Sequence, residues 1–542
     1  MSLAPPSTPN SCLLPKGYWR NDGVGSAYSS DSVDTDTDVA LDLDFQYLNT
    51  DLFTNTGVKI LAGDKLLIHL LGGYEYWNSD IDASITEYGT RSYSDAFLAE
   101  YGYLIAPGLE SFFVDTESQY QSYTLKHGIQ GRLDFDLSAS DRVLLQFGLG
   151  GYLDFTDNSG SGQFWTIDID DSGPVYRKLI FENKAENNRI LNSFLYASSE
   201  LSIIPELFAV DIGFRLDHSF LMGENDFSLN TYPVPGPRLN LTFTPPWSNN
   251  FFLGNTFSVG SGLFSKTPFE SMAINEDFGL EDFEIAIPKT FMNLVGWETS
   301  FPLGFRFKIE AYYKFIFDRF YSNSVINEST DEPETRIHND GIGHAGGFDF
   351  LLDRKTSRYF DGLLSYSFIY ARYYYPEADG VESAINPREE WYFPSFHRYH
   401  TLHLLLNIKP VKSMTLTVKL SFATGTPKTE FGEKEMFAGF IENPDGSTAV
   451  AEMYSRESFY SDTLRQNISL PLDVKLSFNN FFKNSRLRWE GYIAVQDVLS
   501  LILYSILPRE NANTSIWTGE DQAAPSAAFF IPLPSIGFEL SY

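Results

Sequence analysis

The chain has 542 residues, with 71 acidic against 39 basic side chains and a formal net charge of −32. This balance excludes nucleic acid as a partner, because no basic surface is available to hold phosphates. The single cysteine, Cys12, excludes an internal disulfide and a cysteine metal cluster. Aromatic residues make up 16% of the chain although mean hydropathy is only −0.19. A membrane β-barrel combines both properties, because lumen-facing residues alternate with lipid-facing ones.

Residues 1–36 are rich in Pro, Ser, Asp and Gly, and we predict that they form an irregular N-terminal segment. Met1 to Gly23 lack the basic start and continuous apolar stretch of a signal peptide. No run of about 18 apolar residues predicts a transmembrane helix. We assign residues 37–542 to a single transmembrane β-barrel.

Period-two alternation of apolar and polar residues predicts the strands of this barrel. The candidate strands are 39–48, 65–77, 92–104, 118–137, 142–155, 190–204, 207–219, 228–244, 251–266, 289–301, 304–319, 339–353, 358–375, 396–409, 413–427, 462–479, 485–500 and 528–542. Their apolar faces are longer than those of typical soluble strands. They fit the roughly nine to eleven residues that a tilted strand needs to cross a bilayer.

Short connections alternate with long, acidic ones. The long connections are 156–188, 267–288, 320–338, 376–395, 428–461 and 504–527. Outer-membrane barrels have short periplasmic turns and long extracellular loops, whereas a soluble β-sandwich has no reason to sort its loops in this way. The predicted fold class is therefore all-β, a large antiparallel transmembrane barrel of about 18–22 strands. Its last strand, ending at Tyr542, is expected to pair with the first so that no backbone group stays unpaired in lipid.

Local motifs from about residue 180 to 542 resemble the barrel domain of TonB-dependent outer-membrane receptors. They include Ile212-Gly213-Phe214-Arg215-Leu216-Asp217, Gly236-Pro237-Arg238-Leu239, Asn339-Asp340-Gly341 and Thr424-Gly425-Thr426-Pro427. The resemblance implies a barrel of roughly 22 strands filled by an N-terminal plug. It also implies import of a scarce nutrient, such as a ferric siderophore, haem, cobalamin, a metal or a sugar, with energy passed through TonB.

The sequence departs from that family pattern at its start, where no TonB box and no plug precede the first predicted strand. We therefore expect TonB to be a partner only through a plug absent from this chain. The alternative function is a plug-free porin or diffusion channel. The expected partners are outer-membrane lipid and a small nutrient ligand, and the expected location is the bacterial outer membrane. No catalytic constellation is present, so we predict that the chain is not an enzyme.

Acidic and aromatic residues of the long connections are the predicted ligand-binding residues. They are Trp165, Asp168, Asp170, Asp171, Glu328, Asp331, Glu332, Glu430, Glu433, Glu435 and Tyr454. Carboxylates bind hard cations, so a loop-bound calcium ion is possible at such loops, and no other cofactor is predicted.

Charges in mid-strand are predicted to face the lumen. They are Arg306, Lys308, Glu310, Lys419 and Lys475. The histidine-rich stretch at His397, His400 and His403 is not expected to bind a metal. On a strand, His400 would point away from the other two.

Overall fold

The computed structural model describes fifteen segments of the chain. They are 12–24, 32–33, 38–109, 111–170, 173–223, 228–266, 286–327, 332–354, 357–375, 391–442, 446–479, 488–499, 511–514, 521–523 and 533–541. All structural statements below refer to these residues. Among them, no helix is long and apolar enough to cross a membrane.

The described elements are almost all strands. In chain order they are β1 (Cys12–Val24), β2 (Ser32–Val33), β3 (Asp38–Ala62), β4 (Leu66–Ser92), β5 (Ser111–Ser140), β6 (Val143–Asp170), β7 (Gly173–Ile204), β8 (Phe208–Met222), β9 (Ser228–Asn230), β10 (Val234–Phe243), β11 (Gly254–Ser265), β12 (Lys289–Phe301), β13 (Phe305–Asn327), β14 (Glu332–Arg354), β15 (Phe360–Tyr374), β16 (His400–Val411), β17 (Met414–Ala423), β18 (Pro427–Glu442), β19 (Thr448–Arg465), β20 (Leu472–Asn479), β21 (Arg488–Gln496), β22 (Asn511–Thr514), β23 (Asp521–Ala523) and β24 (Leu533–Ser541). One helix, α1 (Asp95–Tyr101), and short 3-10 turns at Gly102–Leu104 and Pro302–Gly304 complete the set.

The strands form one 22-stranded sheet, apart from the small β22–β23 pair. Four of its members, β2, β9, β18 and β19, lie outside the main wall. The remaining 18 strands follow each other in antiparallel order from β1 through β3 to β24. The described pairings do not include one between β24 and β1, the pairing that closes a barrel.

The outward face of the wall carries a continuous apolar band. On β6 it runs through alternate residues from Val143 to Phe155 and ends at Asp157. Leu149, at its centre, is 58% exposed. The same boundary appears on β4 and β5, where Tyr76 and His127 lie opposite each other, level with Phe155. Thirteen residues span roughly 40 Å along the strand, so a tilt of about 45° matches the thickness of a bilayer core.

The opposite face of the same strands is polar, and its side chains pair both within one strand and between strands. The Arg132 side chain pairs with Asp134 at 2.7 Å, and Lys126 pairs with Asp154 at 3.4 Å. The hydroxyl of Tyr196, on β7, donates a hydrogen bond to Asp134 at 2.7 Å. Charges of this density are stable only in contact with water, so this face lines the lumen.

The structure differs from the sequence prediction at residues 92–104, where a helix replaces the expected strand. Ser94 caps α1 by accepting a hydrogen bond from the amide of Phe97, and Asp95 lies in the first turn. Phe97 is fully buried. The local N-cap signal therefore outweighs the apolar alternation of this segment.

Three predicted loops are also wrong, because strands continue through them. Residues 156–188 belong mostly to β6 and β7, 320–338 to β13 and β14, and 428–461 to β18 and β19. Polar and acidic residues are frequent in these extensions beyond the apolar band, so their sequence has a loop-like composition. Within the segment 1–36, predicted to be irregular, β1 pairs with β3 from Cys12–Lys59 to Val24–Tyr47. Backbone pairing, which needs no side-chain alternation, forms this strand.

Candidate functional site at the outer mouth

A long hairpin leaves the wall between β17 and β20. These two strands pair directly with each other, from Met414–Phe478 to Leu420–Leu472. The intervening β18 and β19 pair with each other, from Glu442–Thr448 down to Pro427–Arg465. We call this unit, residues 427–465, the mouth hairpin. It lies on the side of the predicted extracellular loops, beyond the wall strands from which it emerges.

The mouth hairpin contacts a distant part of the wall. In β18, Phe440 and Ile441 pair in parallel with Val175 and Tyr176 of β7. Along the wall, β7 and β17 are nine strands apart. One hairpin can bridge such distant strands when the sheet curves round, so the contact forms a chord across the mouth of a barrel.

An apolar cluster fixes the hairpin in place. Its buried members are Phe112 and Val114 of β5, Ile441 of β18, and Ala451 and Met453 of β19. Phe112 and Val114 share the alternation of Lys126 and Arg132, so the hairpin packs on the lumen-facing side of β5. Complete burial of each of the four larger side chains, which excludes Ala451, stabilises by about 1.5–3 kcal/mol. The cluster therefore makes the docked hairpin the favoured state.

A group of hydrogen bonds lies beside this cluster and joins Tyr93 and Ser94 to Val450, Glu452 and Tyr454 of the hairpin. We call this group the polar fastening. The carboxylate of Glu452, which is 4% exposed, accepts hydrogen bonds from the amide and hydroxyl of Ser94, each at 2.6 Å. It also accepts one from the Tyr454 hydroxyl at 2.5 Å. The Tyr93 hydroxyl donates to the Val450 carbonyl at 2.7 Å. A buried carboxylate with three donors is satisfied, and these charge-assisted hydrogen bonds offset the cost of its desolvation.

These contacts also shift the titration of the tyrosines. Burial, followed by the hydrogen bond to Glu452, raises the pKa of Tyr454 to about 12. Burial and the negative charge of Glu452 also raise the pKa of Tyr93. Both hydroxyls therefore remain protonated donors across the physiological range.

The structure brings together only two of the predicted ligand-binding residues. Trp165 packs against the apolar cluster and stacks on Tyr176 with ring centroids 5.2 Å apart. Tyr454 belongs to the polar fastening. Glu433 and Glu435 are exposed on β18. The backbones of Asp168, Asp170, Glu332 and Glu430 lie on strands but their side chains are outside the description, and Asp171, Glu328 and Asp331 are outside the described residues.

Each of the five predicted lumen charges forms an ion pair. Arg306 pairs with Asp353 at 2.7 Å and with Glu298 at 3.7 Å. Lys308 pairs with Glu310 at 2.8 Å, Lys419 with Asp473 at 3.2 Å and Lys475 with Glu490 at 3.2 Å. These side chains are all partly exposed, so each pair stabilises by about 1 kcal/mol or less. Their mutual neutralisation weakens the field that any one of them exerts on the lumen.

The three histidines do not converge. His397 precedes β16, and its Nδ1 accepts a hydrogen bond from Arg465 at 3.1 Å. The His400 Nδ1 lies 2.8 Å from the Tyr366 hydroxyl, and the His403 Nδ1 lies 2.9 Å from the Ser421 hydroxyl. Within the described residues, no group of three or more His, Cys, Asp or Glu side chains could hold a metal ion.

Sequence reasoning missed Ser94, Glu452 and Met453, which fasten the mouth hairpin. Ser94 followed by Asp95 could have been read as a helix N-cap. Glu452 carries no such signal, because its partner lies 358 residues away along the chain.

No protein-family model matches the sequence, and no curated protein matches it. Solved structures, in contrast, do match this chain. BauA, the ferric preacinetobactin receptor from Acinetobacter baumannii, is 10% identical, with a TM-score of 0.52 over 95% of this chain and 69% of its own. The FrpB iron transporter from Neisseria meningitidis is 10% identical, with a TM-score of 0.50 over 97% of this chain and 80% of its own.

At this identity the likeness concerns the fold. Together with the apolar band and the 18-stranded wall, it defines the class: a large antiparallel transmembrane β-barrel. The predicted all-β barrel fold class is confirmed.

Proposed function

We propose that the chain forms the wall of an outer-membrane transporter that imports a scarce nutrient, of the TonB-dependent receptor type. The observation that carries this proposal is the mouth hairpin, which packs on the lumen-facing side of β5 and pairs with the outer part of β7. A transporter needs a mouth that closes over its ligand and opens again. A diffusion porin works with an open mouth, so the docked hairpin argues against the alternative.

Ferric complexes are the substrates to test first. The two similar solved structures are an iron transporter and a receptor for ferric preacinetobactin. We include haem, cobalamin, other metals and sugars in the nutrient class, and we propose that coupling to TonB runs through a plug seated in the lumen.

A disulfide that locks the hairpin tests this function. Phe440 and Val175 are parallel partners, so their Cα atoms are about 4.8 Å apart, which suits a disulfide. The experiment uses Phe440→Cys with Val175→Cys in a Cys12→Ser background, expressed in cells that take up ⁵⁵Fe-labelled siderophores through this protein. We expect saturable uptake that stops on oxidation and returns on reduction.

The matched control shares one cysteine. Phe440→Cys with Val450→Cys joins β18 to β19 within the hairpin and leaves its docking free. This control should transport normally under oxidising conditions. Uptake that rises linearly with substrate concentration and is the same with and without the 440–175 disulfide would overturn the proposal in favour of a porin.

A further inference from the structure

The lumen-facing side of β3–β7 holds a cavity of about 560 Å³ within the height of the apolar band. It lies well below the mouth hairpin, at the level where Gly57, Leu71, Arg132 and Gly150 stand opposite one another on β3 to β6. Its volume falls within the range of small-molecule sites, about 300–1,000 Å³.

Glycines on the lumen-facing side allow large apolar side chains to lie against the wall at this level. A Cβ atom at Gly57 would lie 2.7 Å from the Leu71 side chain, and one at Gly150 would lie 2.8 Å from the Phe194 ring. Both positions are on the lumen-facing side, where neighbouring rows carry large polar side chains. Leu71 and Phe194 therefore cover these glycines and form the apolar floor of the hollow.

The polar lining of this hollow is cationic. Lys59, His69, Gln130 and Arg132 contribute to it, and no described lining residue is a carboxylate. The chain has 71 acidic and 39 basic residues, so a pocket lined by basic and not by acidic side chains differs from the rest of the chain. The nearby acids already have partners: Asp134 pairs with Arg132 and Tyr196. Asp136 lies 3.4 Å from His69 and accepts a hydrogen bond from Gln146 at 3.0 Å.

Two cationic side chains of the lining are available to pair with an anionic ligand. Lys59 is exposed, and among the described residues no carboxylate lies within ion-pairing distance of it. Arg132 directs its Nε to Asp134, while 48% of its side chain remains exposed. A guanidinium has five donors, so Arg132 keeps donors for a second partner.

We propose that this cavity binds a small organic anion. Its carboxylate or phosphate group would lie between Lys59 and Arg132, and its apolar part would pack on Leu71 and Phe194. Few convergent polar groups over an apolar floor are the usual features of a small-molecule site. The site is formed by side chains of the wall alone, so its test does not require transport.

Photolabelling of the full-length protein in detergent tests the site. The probe is 4-azidobenzoate, and the matched neutral probe is 4-azidobenzamide. We expect mass spectrometry to place benzoate labels on β3–β7 peptides, about tenfold more abundantly than benzamide labels. Lys59→Gln should lower benzoate labelling there about tenfold and leave benzamide labelling unchanged, because only the anion uses the lysine charge. Lys59→Arg should restore it.

Lys308→Gln is the control variant, since Lys308 is a lumen lysine on β13, far along the wall from this cavity. It should label like the wild type. Equal labelling by the two probes, insensitivity to Lys59→Gln, or labels that map elsewhere would each overturn the proposal. Lys59 is exposed, so its substitution leaves folding intact and a negative result counts.

Discussion

The Glu452 carboxylate on β19 binds both the amide and the hydroxyl of Ser94, each at 2.6 Å, although the two residues are 358 positions apart. Ser94 also caps α1, so one residue joins the helix to the mouth hairpin. The hairpin and the β4–β5 connection therefore move together or separate by breaking these bonds.

Removing this carboxylate should loosen the hairpin. We expect Glu452→Ala to weaken docking by about 1–3 kcal/mol, because Ser94 and Tyr454 lose their buried acceptor. Hydrogen exchange of β18 and β19 measures the change. Glu435→Ala, at an exposed position of the same hairpin, should stay within about 0.5 kcal/mol of the wild type. Equal protection in the two variants would show that the apolar cluster alone holds the hairpin.

Acid should loosen the segment 391–399 at the outer end of β15 and β16. His397 is 2% exposed, and burial together with the Arg465 charge lowers its pKa to about 4. Its Nδ1 accepts a hydrogen bond from Arg465, so protonation would remove this acceptor.

An unfolded histidine titrates near 6.5, so the stabilisation is present above pH 6.5 and is lost as pH falls towards 4. Hydrogen exchange of residues 391–399, corrected for intrinsic rates, should accelerate between pH 7.5 and 5. His397→Gln should remove most of this pH dependence. A wild-type profile that is flat over this interval contradicts the prediction.

Position within the apolar band should decide the cost of a new charge. Leu149→Arg, at the centre of the β6 band, should cost about 2–4 kcal/mol. Gln146→Arg faces the lumen, where Gln146 already bonds to Asp136, and should cost less than about 1 kcal/mol. Leu416→Arg, two residues from the start of β17, should lie between them. Refolding equilibria in urea report these values, and equal costs at positions 149 and 146 would mean that the faces are misassigned.

Two glycines should respond differently to an added methyl group. A Cβ atom at Gly343 would overlap the ring of Tyr373, which stacks 3.6 Å from the Arg319 guanidinium. Gly343→Ala should therefore cost about 1–3 kcal/mol. Gly72 has open space around its Cβ position, so Gly72→Ala should be neutral or slightly stabilising. Heat-induced band shifts on gels measure both. Equal midpoints would show that Tyr373 moves aside at no cost.

The sequence predicted the regular part of the wall well. From β8 onwards most strand positions follow the alternation. Each wall residue faces either lipid or water, and its side chain is apolar or polar accordingly. Departures occur where a second signal intervenes. Residues 228–244 split into β9 and β10 around Pro233, which cannot donate to a strand pairing, and residues 462–479 are interrupted before β20 next to Pro471.

The sequence by itself determined the fold class, the two faces of the wall and the order of its strands, since these depend on local alternation. Only the tertiary structure decided what happens at the mouth and inside the wall. The long acidic segments gave no sign that they continue as strands, because their composition resembles that of loops. The curvature of the sheet brings Glu452 into hydrogen-bonding contact with Ser94. It also packs Ile441 and Met453 against Phe112 and Val114. That curvature brings together residues hundreds of positions apart, a relationship that no local pattern encodes.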